Sequence, residues 1–154
     1  MAASSYLGYR SCVACSRIAI WGWRLGGFNT LMSMTQGAPV FRCGVAVAAP
    51  SNWKFYDTVY TERYMRTPKE NANYELVNPI TRADKLHGDL LLIHGTADDN
   101  VHYRNCAQIS EALVQADKPF EMQVYTNRNH SIYGGATRTH LFKRIFNFLE
   151  RNLK

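Results

Sequence analysis

Short runs of uninterrupted apolar residues alternate along the chain with stretches whose apolar positions recur every three or four residues. That alternation predicts a parallel sheet with helices packed on its faces. Arg17 to Trp23 reads Arg-Ile-Ala-Ile-Trp-Gly-Trp, a buried strand ended by glycine. From Gly27 onward, Phe28, Leu31, Met32 and Met34 follow helical spacing, and Gly37 with Pro39 stops the pattern. Cys43 to Val47 is a second buried strand. The aromatic-rich stretch Trp53 to Tyr64 has the composition of a helical excursion rather than of a strand, and Pro68 and Pro79 punctuate the segment after it. Leu90-Leu91-Leu92-Ile93 is continuously apolar, as a central parallel strand covered on both faces should be. His102 to Ala116 carries Cys106, Ile109, Leu113 and Ala116 on one helical stripe. Phe120 to Tyr125 alternates apolar with polar, which suits a half-covered strand near the sheet edge. The closing helix, Thr137 to Leu153, is expected to turn Leu141, Phe142, Ile145, Phe146, Leu149 and Leu153 inward. The predicted order is β-α-β-(excursion)-β-α-β-α, an α/β domain of parallel strands with flanking helices.

With 154 residues, 46% hydrophobic and 19% charged, the chain can build one domain around an apolar core, which excludes a disordered tail and a disulfide-stapled miniprotein. Eighteen Lys and Arg against twelve Asp and Glu give a net charge of +6. These charges are scattered. Their densest group, Arg138, Lys143, Arg144, Arg151 and Lys154, falls on the closing amphipathic segment and reads as a solvated helix face. With no nucleic-acid motif and no basic stripe, nucleic acid is not an expected partner. No run approaches the roughly 18 apolar residues of a membrane span, and no signal sequence stands at the N-terminus. Cys12 and Cys15 form a C-x-x-C pair, but no second ligand pair follows, so neither a metal nor a cofactor is expected. A thioredoxin-type site is also excluded, because Cys15 is read as followed by a strand.

Three loops fall at the carboxyl ends of the predicted strands, where parallel sheets place their active sites. In Gly22-Trp23-Arg24-Leu25-Gly26-Gly27, glycines two residues either side of Arg24 allow the sharp strand-to-helix turn of a nucleophile elbow, G-x-S-x-G, with arginine where the serine belongs. His94-Gly95-Thr96-Ala97-Asp98-Asp99-Asn100-Val101 places a carboxylate where it could hold the tautomer of an imidazole. Asn127-Arg128-Asn129-His130-Ser131 follows the edge strand and supplies that imidazole. The order elbow, Asp, His is that of α/β hydrolases.

Beyond these loops, Trp21-Gly22-Trp23, Gly26-Gly27, the run Tyr56-Asp57-Thr58-Val59-Tyr60-Thr61-Glu62-Arg63-Tyr64-Met65 and the run His94 to His102 carry a specific likeness. From Arg17 to about Leu149 the chain resembles the catalytic domain of prolyl oligopeptidase family serine peptidases, in the dipeptidyl peptidase IV branch. The resemblance implies the C-terminal half of an α/β-hydrolase fold and a hydrolase that releases N-terminal dipeptides after Pro or Ala. It implies Asp98 as triad acid, His130 as triad base and Arg24 at the nucleophile position. The backbone N–H of Leu25 would be an oxyanion donor. Trp53, Tyr56, Tyr60 and Val101 would wall the pocket for the residue before the scissile bond, and Asn100 would bind a substrate carbonyl. It also implies elements not found in this sequence: the first half of the hydrolase sheet, a tyrosine oxyanion donor and a β-propeller that captures the substrate amine. The parent would be exported or periplasmic, and Cys43 is read as a buried free thiol.

Arg24 departs from the pattern, and a guanidinium has no deprotonated form with which to attack a carbonyl. The expectation is therefore a chain that is inactive as written, in which Arg24→Ser alone restores little, since one lost oxyanion donor costs roughly 100- to 1000-fold. Arg24 is also expected to set a cation beside His130. The alternative is a pseudo-peptidase that binds peptide without cleaving it, with Arg24 clamping a carboxylate. Residues 1–16 are read as a non-family lead-in ahead of a partial peptidase domain at 17–154. The resemblance is lost at Tyr9 to Ser16 and again at Arg24-Leu25, and the hypothesis is that paired frame shifts mistranslated these two stretches, Arg24 included. Reading of the coding nucleotides checks this, and an intact frame through codon 24 would refute it. Finally, Ile18-Ala19-Ile20-Trp21 is apolar on both faces and carries no lysine, proline or bulge. In the strand order that the resemblance implies, it would lie beside a strand of the missing half, so the isolated chain is expected to aggregate or to form an edge-to-edge dimer through it.

Overall fold

The computed structural model describes residues 6–11, 13–36 and 39–154. Cys12 and the predicted helix stop at Gly37 lie outside these residues, as does the start of the lead-in. Among the described residues from Ala19 onward, four strands and four α-helices follow one another as β1 (Ala19–Trp23), α1 (Leu25–Thr35), β2 (Cys43–Val47), α2 (Thr58–Met65), β3 (Asp89–Gly95), α3 (Arg104–Gln115), β4 (Glu121–Tyr125) and α4 (Thr137–Asn152). The strands form one sheet in the order β1-β2-β3-β4, every neighbouring pair parallel. This is the parallel α/β architecture predicted from the strand and helix pattern, and it matches the partial α/β-hydrolase fold that the resemblance implies.

Alternate side chains of β2 and β3 go to opposite faces, and each face meets its own helices. Ala46, Leu90 and Leu92 pack with Leu31 and Met34 of α1 and with Cys106, Ile109 and Leu113 of α3. Cys43, Val45, Val47, Leu91 and Ile93 pack with Leu141, Ile145 and Phe148 of α4. A sheet covered on both faces needs strands without polar alternation, which is why β3 is buried along almost its whole length. Cys43 is a buried free thiol, and burial pushes its pKa up to about 11.

Four expectations are corrected at the level of elements. The first strand begins at Ala19, because Cys15–Arg17 forms a short 3-10 turn. Cys15 is thus not followed directly by a strand. Helix α1 starts at Leu25 rather than Gly27, since Arg24 itself is the residue before its first turn. The excursion splits into a 3-10 turn at Trp53–Phe55 and helix α2, whose first turn is capped by Asp57 accepting the Tyr60 N–H at 2.7 Å. In α4 the buried stripe is Leu141, Ile145 and Phe148, spaced four and three residues apart, with Leu149 and, just past the helix, Leu153 packed at its margin as expected, and it leaves Phe142 and Phe146 exposed.

At the sheet edges, Glu121 of β4 receives Arg144 and Arg151 of α4, so part of the basic balance is spent pinning the last helix to the last strand. The other edge is different. Among the described residues no strand pairs with the outer side of β1, and Trp21 there is 50% exposed. An unblocked edge of this kind templates pairing with another chain. The chain is expected to self-associate through β1, and Trp21→Lys to shift it toward monomer without loss of helical content, read by size-exclusion chromatography with light scattering. A wild-type monomer at every accessible concentration would refute this.

Candidate active site

The sheet's carboxyl edge collects the three loops picked out in the sequence. The first is the turn between β1 and α1, where Arg24 adopts φ 53° and ψ −116°, outside the regions that side-chain-bearing residues favour. The turn closes only because its neighbours lack side chains. A Cβ at Gly22 would lie 2.2 Å from the Gly26 carbonyl carbon, and one at Gly27 would lie 2.8 Å from Cβ of Ala49. The Arg24 N–H donates to the Val47 carbonyl at 2.9 Å, which ties the bend to β2. Strain of this sort, costing on the order of 1–3 kcal/mol, persists where the surroundings over-determine it. Leu25 is the first residue of α1, so its N–H has no partner within the helix.

The second loop follows β3. The Asp98 carboxylate is fully buried there, and four donors reach it. Its Oδ1 accepts the backbone N–H groups of Asn100 at 3.0 Å and Val101 at 2.8 Å. Its Oδ2 lies 2.8 Å from Nδ1 of His130 and 3.3 Å from Nε2 of His94. Burial alone pushes this carboxyl's pKa up. The donated hydrogen bonds from His130, His94 and Val101 outweigh it and hold the group well below its ordinary value of 3.8. An ionised Asp98 requires Nδ1 of His130 to carry the proton, which leaves Nε2 of that ring as its basic nitrogen. Asp99 is exposed and takes no part in this arrangement.

The third loop is held from both sides. The indole N–H of Trp23, next to the elbow, donates to the His130 carbonyl at 3.1 Å, and Nε of Arg138 donates to the Ser131 carbonyl at 2.9 Å. Ile132, at φ 46°, is buried completely in the core beneath. His130 is thus presented by a loop fastened to both the elbow and α4.

Of the predicted pocket walls, Trp53, Tyr56 and Tyr60 form one ring cluster. Trp53 stacks on Tyr60 at 6.0 Å, while Tyr56 stands edge-on to Trp53 at 5.8 Å and to Tyr60 at 5.6 Å. A cavity of about 330 Å³ has Trp53 and Tyr60 among its walls, together with Phe28, Tyr64 and Met65. Tyr56 and Val101 do not line it. Val101 is fully buried, and the Tyr56 hydroxyl instead donates to Oδ1 of Asn100 at 3.0 Å while accepting from Nη2 of Arg24. The expected cation beside His130 is therefore drawn to Tyr56, with the guanidinium 5.4 Å from that ring's centre.

Sequence reasoning assigned no role to two residues of this region. His94 is almost wholly buried, and its Nε2 lies 2.8 Å from the Val101 carbonyl as well as within reach of Asp98. A signal was present, because a histidine closing an apolar run must find a partner when buried. Asn105 on α3 is fully buried, and its side-chain oxygen accepts the Ser51 N–H at 2.9 Å. That bond ties the start of the aromatic excursion to the helix after the Asp98 loop. No local pattern links residues so far apart.

Comparison with known proteins identifies the family. The chain matches the prolyl oligopeptidase family over residues 1–154. Dipeptidyl peptidase 4 of Felis catus is 46% identical over 139 residues, 88% of this chain and 18% of that protein. Prolyl endopeptidase FAP of Mus musculus is 42% identical over the same share of each. The crystal structure of Porphyromonas gingivalis dipeptidyl peptidase 4 superposes with a TM-score of 0.97 and 52% identity, covering 99% of this chain and 22% of that one. The chain thus spans about a fifth of the length of the relatives it matches.

The depressed Asp98 carboxyl makes stability pH-dependent with a definite sign. Its contribution is complete above the ordinary carboxylate value and is lost as pH falls from about 4 toward the lower folded value. Asp98→Asn, which cannot accept the His130 N–H on its amide nitrogen, is expected to lose about 2–3 kcal/mol near neutrality. It should also flatten the acid limb of a plot of Tm against pH. An unchanged acid limb would show that the carboxylate is not held as described.

Proposed function

Since the chain belongs to the prolyl oligopeptidase family, we propose that it carries the acid–base half of a dipeptidyl peptidase catalytic centre whose nucleophile position holds a residue unable to attack. The observation that supports this most directly is the 2.8 Å contact between Nδ1 of His130 and Oδ2 of Asp98, on loops that share the sheet's carboxyl edge with the strained turn at Arg24.

In the reaction this arrangement serves, an elbow hydroxyl attacks the substrate carbonyl while Nε2 of His130 takes its proton. Asp98 keeps the ring in the required tautomer and stabilises the imidazolium. The N–H of Leu25, which has no partner within its own helix, would face the oxygen that becomes negative as one of the donors of an oxyanion hole. The ring cluster around Trp53 and Tyr60 offers flat apolar surface to a proline or alanine side chain at little cost in rotamer entropy. Asn100 lies at its margin, where it can hydrogen-bond the substrate backbone. The relatives named dipeptidyl peptidase 4 support cleavage after the second residue of a peptide as the reaction to which these parts belong.

Arg24 removes the first of these steps. The general base remains formed, but there is no hydroxyl for it to deprotonate, so no acyl-enzyme can form at this elbow. The chain is expected to leave a chromogenic Gly-Pro substrate intact and to resist labelling by a fluorophosphonate. Arg24→Ser should gain labelling at position 24, and Arg24→Ser combined with His130→Ala should lose it. Turnover by the wild-type chain that His130→Ala abolishes would overturn the reading.

A further inference from the structure

The groups around the elbow are unbalanced in charge and in hydrogen bonding. The buried carboxylate of Asp98 has both oxygens occupied by four donors and offers nothing to a neighbouring cation. Arg24 is exposed and forms no ion pair among the described residues. Among the described residues its single side-chain hydrogen bond, from Nη2, goes to the neutral hydroxyl of Tyr56. A guanidinium has five N–H donors in a planar fork, so most of them remain open. Beside it, the first turn of α1 contains no acidic residue and no side-chain cap, which leaves its leading N–H groups open too. Asn100 has its oxygen taken by Tyr56, so the free end of that amide is also a donor. Arg24 and Asn100 thus meet at the Tyr56 hydroxyl with donors to spare, beside the turn where a serine peptidase would hold a hydroxyl.

We propose that Arg24 makes the nucleophile position a carboxylate-binding site, which takes the C-terminal carboxylate of a peptide ending in proline or another small residue. The fork geometry of a guanidinium matches a carboxylate with two parallel N–H···O bonds. The apolar half of the recognition is adjacent, because the guanidinium lies 5.4 Å from the Tyr56 ring centre and that ring is edge-on to Trp53 and Tyr60. A charge pair directly beside flat rings fits the last residue of a peptide better than it fits a free inorganic anion, which has nothing to lay on the rings. The ligand would sit as a cleaved peptide sits, with its terminal carbon where a scissile carbonyl would otherwise be. No bond is made or broken. The proposal rests on the rings being the peptide-binding surface, as the functional reading holds.

Isothermal titration of the full chain with the peptide Gly-Ala-Pro and with its C-terminal amide separates the two ideas. Gly-Ala-Pro should bind saturably, and the amide on the order of tenfold to a hundredfold more weakly, the range of a charged hydrogen bond. Arg24→Gln should bring the two peptides to equal affinity. That substitution is at an exposed side chain, and unchanged circular dichroism checks the fold. Arg24→Lys should keep part of the preference, since it retains the charge without the fork. Equal binding of acid and amide by the wild-type chain would overturn the carboxylate site and leave the ring surface standing. Absence of any peptide binding would overturn both. Inorganic phosphate binding as tightly as Gly-Ala-Pro, in competition with it, would overturn the peptide assignment.

Discussion

A carboxylate with no lone pair to spare organises the carboxyl edge of the sheet. Asp98 is removed from water, and an ionised group in that position is tolerated only when nearly every acceptor site is filled. The four donors that fill it come from separate places: two from the turn that follows it, one from the end of β3 and one from the loop after β4. The same bonds that keep the charge buried therefore fix the distance between two loops 32 residues apart and select the tautomer of His130. His94 closes the arrangement from beneath, with one ring nitrogen close to both the carboxylate and the Val101 carbonyl. Its ring is held edge-on to Tyr103. Removing any donor would loosen the charge and the loop geometry together.

The elbow obeys a constraint of another kind, steric rather than electrostatic. Gly22 and Gly27 are required by the close approach of backbone and side-chain atoms, and they leave the central residue at positive φ whatever its side chain. The shape of the turn is thus independent of the chemistry it presents. This is why a serine peptidase's turn can persist intact around an arginine. The strain is maintained by the bond from the Arg24 N–H to Val47 and by the packing of α1 against β1 and β2, none of which involves the guanidinium.

How much of this was legible in the sequence depends on the range of the interactions. β2 is read residue for residue, and β3 to within two residues, because a strand covered on both faces must be apolar at every position, and that is a local pattern. The elbow, Asp98 and His130 are legible because each closes a strand and their order is distinctive. Phe142 and Phe146 were misassigned because an amphipathic stripe more than one residue wide does not reveal which edge meets the core. Packing of Leu141, Ile145 and Phe148 against β2 and β3 decides it. The tie between Ser51 and Asn105 could not be read at all, since it is made between a loop and a helix more than fifty residues apart. The partner of Arg24 was likewise out of reach, because it depends on where the excursion folds back.

That fold-back gives Tyr56 two roles. Its ring belongs to a buried cluster with Phe28, Trp53, Tyr74 and Val101, while its hydroxyl reaches out to Arg24 and Asn100. Trp53 is shared in the same way between that cluster and the cavity beside Tyr60. Surfaces that present rings already packed in a core hold them in place before a ligand arrives, so little ordering entropy is left to lose on binding. The same sharing means that truncating either ring would create a core cavity as well as remove a contact. Tyr60 differs, being 38% exposed and on the first turns of α2, so it is the ring at which binding and folding are most nearly separable. The aromatic surface is held rigid because most of it is core, and Tyr60 is the ring that leaves the core.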